Sequence, residues 1–571
     1  MITFPISKCT MENQYDVTIL GGGLAGLTLS LQLKQEKPDI KVLVLEKRED
    51  AAPEAAFKVG ESSVELGTHY LREVLGLKDY LDTEQLPKHG LRFFLSPKHK
   101  DEIHKRVELG PKEFLPVPSH QIDRGVFEND LVKMSRDIKN DVLLDAKVEN
   151  VELGDDTHQV TYKKDGESTT VNTRWVIDAT GRASFLKRKL NFAEPFEHNV
   201  NAAWFRVDYK IDVDTWSDDE KWHSYVKDGL RHFSTVHLMD KGYWVWIIPL
   251  VGDRTSVGIV ADESIHDFKD YNSLEKSLAW ISKNEPQFGK ELDKLTDKIL
   301  DFKLMKHFAH ASKETFSTDR WTVVGESGLF TDPFYSPGTD FISIGNTLTA
   351  DLIQRDLKGE DVFYRTKFHA QVFRALYDNW MPIYVNQYPL WGSSQIMVTK
   401  IIWDWAAYWA INCLLFLNNG LTNLELMKDL VAGPTALMNR YGELSLQMQR
   451  LFKDWEAYDT ADLTDKYVDP FDLKFMKTLQ EDIVEKEVDD DELKRKLMEN
   501  MELLEYVAAE MFRLASNSAH ETSMDIPVDP YTMSLNKDRT LESKNSKELG
   551  RNRYVAKELQ NMWMYPVPVE S

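Results

Sequence analysis

Hydrophobic positions along this chain change their period several times. An apolar run at 15–20 meets three glycines, helical spacing follows, and a second apolar run at 42–45 ends on Glu46. That order predicts strand, glycine-rich turn, helix and strand, the first half of a dinucleotide-binding fold. Residues 64–77 return to helical spacing, 86–95 turn into a strand, and 119–134 read as a loop feeding a helix. The runs 142–153 and 160–162 alternate as strands do, and 176–182 (VIDATGR) is a strand that ends in a small-residue turn. From 201 to 260 the strands alternate and are rich in aromatics, which predicts an antiparallel sheet with one apolar face. A helix is expected over 274–285, and strand, loop and helix over 321–346.

Beyond about 350 the pattern is mainly helical. The most apolar run, 401–417, contains Asp404 and Asn412 and is shorter than the ~20 residues of a membrane span, so it reads as a buried helix. Leu493, Leu497, Met501, Leu504, Val507, Met511 and Leu514 mark one amphipathic helix, with Asp489, Asp490 and Asp491 at its electropositive start. Residues 517–552 are polar and broken, an extended wrap or a partly disordered stretch. The aromatic clusters of this region read as packing rather than as a binding surface. No internal repeat is present.

With 571 residues the chain exceeds one core, so two or three domains are expected. The division read from the pattern is an N-terminal extension (1–14), a core over 15–350 that holds an interleaved antiparallel sheet at about 85–120 and 195–310, and a helical region over 351–571 with its polar tail at about 517–552. A net charge of −23 argues against nucleic acid or an anionic membrane as a partner. Two cysteines, Cys9 and Cys413, exclude a disulfide framework. With no signal-like N-terminus, a cytoplasmic location is expected. An assembly of identical copies is left open, and no cluster with metal-ligand spacing is present.

The chemistry starts at the glycines. Gly21 permits the tight turn, Gly23 lets backbone approach a diphosphate, and Gly26 lets helix and strand pack closely. The diphosphate would sit on free N–H groups at the helix start, and Glu46 would accept from a ribose hydroxyl. Two more segments follow in order: DATGR at 178–182 and GESGLFTDP at 325–333. Trp244 and Trp246 stand one residue apart, with Pro249 completing a W-x-W-x-I-P sequence. Together these segments resemble the FADH2-dependent ("tryptophan halogenase"-like) halogenases within the FAD monooxygenase-type fold, over roughly residues 15–350.

The resemblance implies a fold class, an activity and a set of site residues. The fold would be α/β: an FAD-binding Rossmann-like domain of the monooxygenase type with an interleaved antiparallel β-sheet, followed by a mainly helical C-terminal domain. FAD, entering as FADH2, would be bound by Gly21, Gly23, Leu24, Ala25, Gly26, Glu46, Lys58, Arg124, Asp178, Gly181, Gly325, Glu326, Asp332 and Pro333. With O2 and a halide ion it would give hypohalous acid by way of a flavin hydroperoxide. A lysine would then guide that oxidant to an electron-rich aromatic small molecule of phenol or indole type. Lys88, in K-x-G before the strand at 91–95, fits that role, and Lys58 is the next candidate.

Trp244, Trp246 and Pro249 would keep organic substrate away from the flavin, although alternate indoles on one strand face also suit plain core filling. The segment 330–338 matches F-x-x-P-x-x-S-x-G, with Ser336 and Tyr335 facing the channel. Pro337 lacks an N–H, so Gly338 and Thr339 would hold the halide. Glu326 stands where the family has aspartate. Tyr335 stands where the tryptophan halogenases carry glutamate, which turns the expected substrate away from tryptophan. With no second nucleotide fingerprint, a separate NAD(P)H-dependent flavin reductase is the expected partner. Two alternatives stand beside this reading: a single-component FAD-dependent aromatic hydroxylase, and a non-enzymatic flavin-binding protein.

Overall fold

In the computed structural model, which describes residues 14–52, 60–433, 435–459, 463–484 and 488–565, five parallel strands stand in the order Asp141–Leu143, Val42–Leu45, Gln14–Leu20, Glu167–Asp178, Trp321–Val323. Their near-continuous apolar runs are what a parallel sheet buried on both faces requires. Leu20 lies opposite both Leu45 and Asp178, and Asp178 lies opposite Val323. Gly21, Glu46, Ala179 and Val324 therefore leave the sheet side by side at the carboxyl ends of the strands. Lys147–Glu152 and His158–Lys164 form an antiparallel annex on the first half of Glu167–Asp178.

Helix Leu24–Glu36 is buried through its first ten residues, because two helices cover it. Ser30 Oγ meets Ser135 Oγ of Arg124–Asp137 at 2.9 Å, and Asn346 Nδ2 of Gly338–Leu357 donates to Ala25 O at 3.0 Å. The expected domain boundary at 350 thus falls inside a helix that packs against the nucleotide-binding fingerprint.

The second sheet runs Lys303–Met305, Val200–Val207, Arg254–Asp262, Tyr243–Leu250, Thr235–Asp240, Leu91–Leu95, Val107–Leu109, Tyr467–Val468. It departs from the sequence expectation in two ways. Two junctions are parallel: Thr235–Asp240 against Leu91–Leu95, and Tyr467–Val468 against Val107–Leu109. Both faces are also covered. Trp204, Trp244, Trp246 and Ile248 join the core shared with the first sheet, while Phe205, Val245, Ile247 and Val257 pack under the helices at 274–292. Alternation along these strands separates two apolar surfaces, so polarity alone could not reveal the second.

The C-terminal helices share the larger core with the parallel sheet, so one continuous apolar cluster runs from Val17 to Trp563. The apolar run at 401–417 is helical as expected: Ser394–Ala407 passes through a π-turn, Tyr408–Cys413, into Leu414–Leu417. The amphipathic helix spans Asp490–His520, with Asp489 capping it through the amide of Glu492. The polar stretch after it is an extended wrap, pinned by buried Val528, Tyr531, Met533 and Leu535. No described helix is long and apolar enough to cross a membrane. Lys58 and most of the expected N-terminal extension lie outside the described residues.

Candidate active site

At the sheet's carboxyl edge the backbone forms a cradle. Gly21 has φ of 111°, and a Cβ there would stand 2.3 Å from Ala179 O. A Cβ on Gly26 would stand 2.2 Å from Gly21 O, so helix and turn touch through glycine alone. Gly23 caps helix Leu24–Glu36 without a side-chain hydrogen bond, and no acid occupies the first turn. The first N–H groups are thus left for an anion. Glu46 accepts from Gly22 N at 2.7 Å and Arg48 N at 2.9 Å, which fixes its carboxylate beside that helix start.

A Cβ on Gly325 would stand 3.0 Å from Ala25 Cβ, so the first and last fingerprints border one site. Leu24 and Ala25 are buried in the wall behind it. Asp178 is fully buried and accepts from Thr180 N, Thr180 Oγ1 and Leu186 N, which ties the DATGR turn. Burial raises its pKa above the ordinary value. The amide of Gly181, in turn, donates to Ser327 Oγ at 3.0 Å.

This groove opens into a cavity of about 890 Å³ of empty space, bordered by Arg124, Trp244, Trp246, Glu326, Asp332 and Pro333, and also by Ser336, Gly338 and Thr339. Asp332 has no exposure; it takes His198 Nε2 at 2.7 Å, Tyr388 OH at 2.6 Å and the amide of Phe334 at 2.9 Å. Arg124 Nη2 donates to Glu128 Oε1 at 2.6 Å. Trp246 lies over Gly258, where a Cβ would come within 2.1 Å of the indole, so that glycine makes room for the ring. His237 also lines this cavity, donating through Nδ1 to Arg92 O, with its pKa pushed down to about 3 by burial. These glycines and free helix amides fit the diphosphate of a dinucleotide, and Trp244 and Trp246 give the adjoining cavity an aromatic wall.

A second cavity, with about 930 Å³ of empty space, lies beyond it. Lys88 ends strand Leu86–Lys88, pairs with Ser119, and is 2 % exposed, so it sits on a strand rather than in a free turn. Its Nζ donates to Ser63 O at 2.6 Å. Burial pulls its pKa down to about 7 against the attraction of Glu65 and Asp340, and all three residues line the cavity. Burial likewise pushes Asp340 up to about 7. The C-terminal helices form the opposite wall with Trp380, Trp403, Trp405, Tyr408 and Trp409.

The wall between the two cavities is the turn at 335–338. Tyr335 and Ser336 both have left-handed backbones, with φ of 69° and 62°. That strain turns successive side chains to opposite sides: Tyr335 lines the lysine cavity and Ser336 the other. Tyr335 OH donates to Asp404 Oδ2 at 3.0 Å, and Asp404 also pairs with buried Lys400 at 2.9 Å. Helix Gly338–Leu357 begins at this turn, and its first amides have no intrahelical acceptor.

The family model described as "FAD binding domain" matches residues 14–265. The flavin-dependent halogenase chlA of Dictyostelium discoideum is 25% identical over 430 residues, 70% of each chain. The 1H-pyrrole-2-carbonyl-(peptidyl-carrier protein) brominase of Pseudoalteromonas luteoviolacea is 26% identical over 62% of this chain and 80% of its own. The chain is similar to flavin-dependent halogenases over most of its length. It carries an FAD-binding domain within a monooxygenase-type fold. Among solved structures, halogenase PltM in complex with phloroglucinol and FAD shares that fold with a TM-score of 0.62 at 17% identity, over 84% of this chain and 96% of the other.

The residues expected to bind FAD meet at this edge with two qualifications, and one residue expected at the channel lies apart from it. Lys58 lies outside the described residues. Asp178 gives its carboxylate to the turn, and Pro249, buried in its strand, borders neither cavity. Sequence reading missed Glu65, Asp340, Tyr408 and Trp409 around Lys88. No spacing connects them, since they come from three regions of the chain. The tryptophans at 403–409, read as packing, form a cavity wall as well.

Proposed function

We propose that this protein is a halogenase that uses reduced FAD, O2 and a halide to form hypohalous acid in the first cavity, and that Lys88 directs the acid onto a phenol- or indole-type small molecule in the second. The supporting observation is the pair of adjoining cavities, one bordered by the expected FAD segments and the other by a buried lysine, with successive residues of the turn at 335–338 lining the two in alternation. Bound FAD would supply the oxidising equivalent. The protein's own residues supply the rest. The amides of Gly338 and Thr339, at a helix start facing the first cavity, hold the halide. Trp244 and Trp246 fill the floor beside the flavin and keep aromatic substrate on the far side of the turn. Lys88 is the guide: its amine sits at a pKa of about 7, so it can donate to the oxygen of hypohalous acid or capture the halogen.

The aromatic wall of Trp403, Trp405 and Trp409 suits a flat ring, and the cavity's carboxylates suit a substrate that donates hydrogen bonds. A separate NAD(P)H-dependent flavin reductase supplies the reduced cofactor. The test is mass spectrometry of phenols, indoles and pyrroles incubated with the enzyme, FAD, a flavin reductase and chloride, bromide or iodide. A halogenated phenol or indole is expected. Products confined to hydroxylated aromatics would overturn the reading, as would a requirement for carrier-bound substrate.

A further inference from the structure

We propose that Glu65 is the base that takes the ring proton of the substrate, and that Trp409 and Gln480 of the C-terminal helices are its positioning residues. The inference rests on the reading of the Lys88 cavity as the substrate site. Among the described residues three carboxylates border that cavity: Glu65, Asp340 and Asp404. Their hydrogen bonds separate them. Asp404 is paired with Lys400 at 2.9 Å, and its oxygens also take Gln449 Nε2 and Tyr335 OH. Asp340 has both oxygens engaged, Oδ1 by Gly67 N and Oδ2 by Tyr408 OH, each at 2.8 Å. In Glu65 a single oxygen, Oε1, takes both side-chain donors: Trp409 Nε1 at 3.0 Å and Gln480 Nε2 at 2.8 Å. Among the described residues no side chain donates to Oε2, the oxygen left for a ligand.

Glu65 is 4 % exposed, and desolvation raises its pKa, which strengthens it as a base. The charge of Lys88 opposes that rise. The two groups divide the work of one substitution. As the bond from ring carbon to halogen forms, the halogen–oxygen bond of hypohalous acid breaks, and the departing hydroxide takes a proton from the Lys88 ammonium to become water. The ring carbon releases its proton to Glu65 Oε2, and its C–H electron pair restores the aromatic ring. Glu65 then returns the proton to the Lys88 amine. The sum is arene plus hypohalous acid giving haloarene plus water, with both side chains restored.

Trp409 stands in the π-turn Tyr408–Cys413, and Gln480 in helix Lys474–Val484. Glu65 itself opens helix Glu65–His69, five residues after Gly60 at the FAD cavity. The C-terminal region, which the flavin-binding family model does not reach, thus completes the substrate site by holding an N-terminal acid from behind.

The experiment compares wild type with E65Q on a phenol and its ring-deuterated form, with FAD, a flavin reductase and bromide. The glutamine keeps an oxygen for Trp409 and Gln480 but cannot accept the proton. Halogenated product should fall on the order of 10²-fold. A ring-deuterium isotope effect should appear that wild type lacks, because proton loss becomes slow. Flavin reoxidation should be unchanged and free hypohalous acid should rise. Gln480→Met, which leaves the carboxylate but removes one donor, should show a smaller loss and an intermediate isotope effect, and it decides the matter if E65Q folds poorly. Product at the wild-type rate without an isotope effect in either variant would overturn the role of Glu65 alone. No halogenated phenol from wild type would overturn the substrate reading together with it.

Discussion

Replacing Lys88 by methionine should stabilise the protein while abolishing halogenation. The buried amine has a pKa of about 7 against 10.5 in water, a difference worth about 5 kcal/mol against burying the ammonium. Between pH 7 and 10.5 the unfolded chain holds a proton that the folded chain does not, so this lysine makes stability rise with pH through that window. Its penalty is fully present below pH 7, at about 5 kcal/mol, and has shrunk to about 2 kcal/mol by pH 9. Methionine of similar length removes the penalty but also removes the attraction felt by Glu65 and Asp340. Asp340, raised to about 7, carries its proton at pH 6, and at pH 9 the amine is itself uncharged, so Asp340 loses little attraction at either pH. The titration of the amine makes the gain larger at the lower pH, so K88M should be more stable than wild type by about 1–3 kcal/mol at pH 6 and less so at pH 9. Thermal unfolding of the FAD-loaded protein at the two pH values reads this directly. A variant that melts below wild type at pH 6, or by the same difference at both, would refute a desolvated lysine. Halogenated product should vanish, while FAD binding persists and a dye such as monochlorodimedone registers escaping hypohalous acid.

Three further outcomes follow from the geometry. Gly258→Val would drive a side chain into the Trp246 indole, 2.1 Å from the position of its Cβ, and should cost about 1–3 kcal/mol with loosened FAD binding, read by unfolding and flavin titration. Asp178→Ala strips the acceptor from Thr180 and from Leu186 N, and should weaken FAD binding at least about tenfold, at about 1–3 kcal/mol for each donor left unpaired. NADPH alone should leave the absorbance of bound FAD unbleached over minutes, and rapid bleaching without a reductase would favour the single-component hydroxylase.

The sequence determined those parts of this protein whose chemistry is local. The glycines at 21 and 26 are required where backbone meets backbone, so a residue type records the contact. The parallel strands, the capped helix beginning at Asp489 and the buried run at 401–417 are legible because period and capping act within a few residues. Lys88 was reachable because a lysine between a proline and a glycine, ahead of an apolar strand, already limits where its side chain can go. The tertiary structure alone decided what surrounds that lysine. Glu65, Asp340, Trp409 and Gln480 converge only after the C-terminal helices close over the second sheet, and each looks in sequence like an ordinary helical residue. Nor could sequence separate the three cavity carboxylates, because what distinguishes them is which oxygen is already bonded. The second apolar face of the mixed sheet was hidden for a related reason: alternation sorts side chains into two sets but does not show that both are covered.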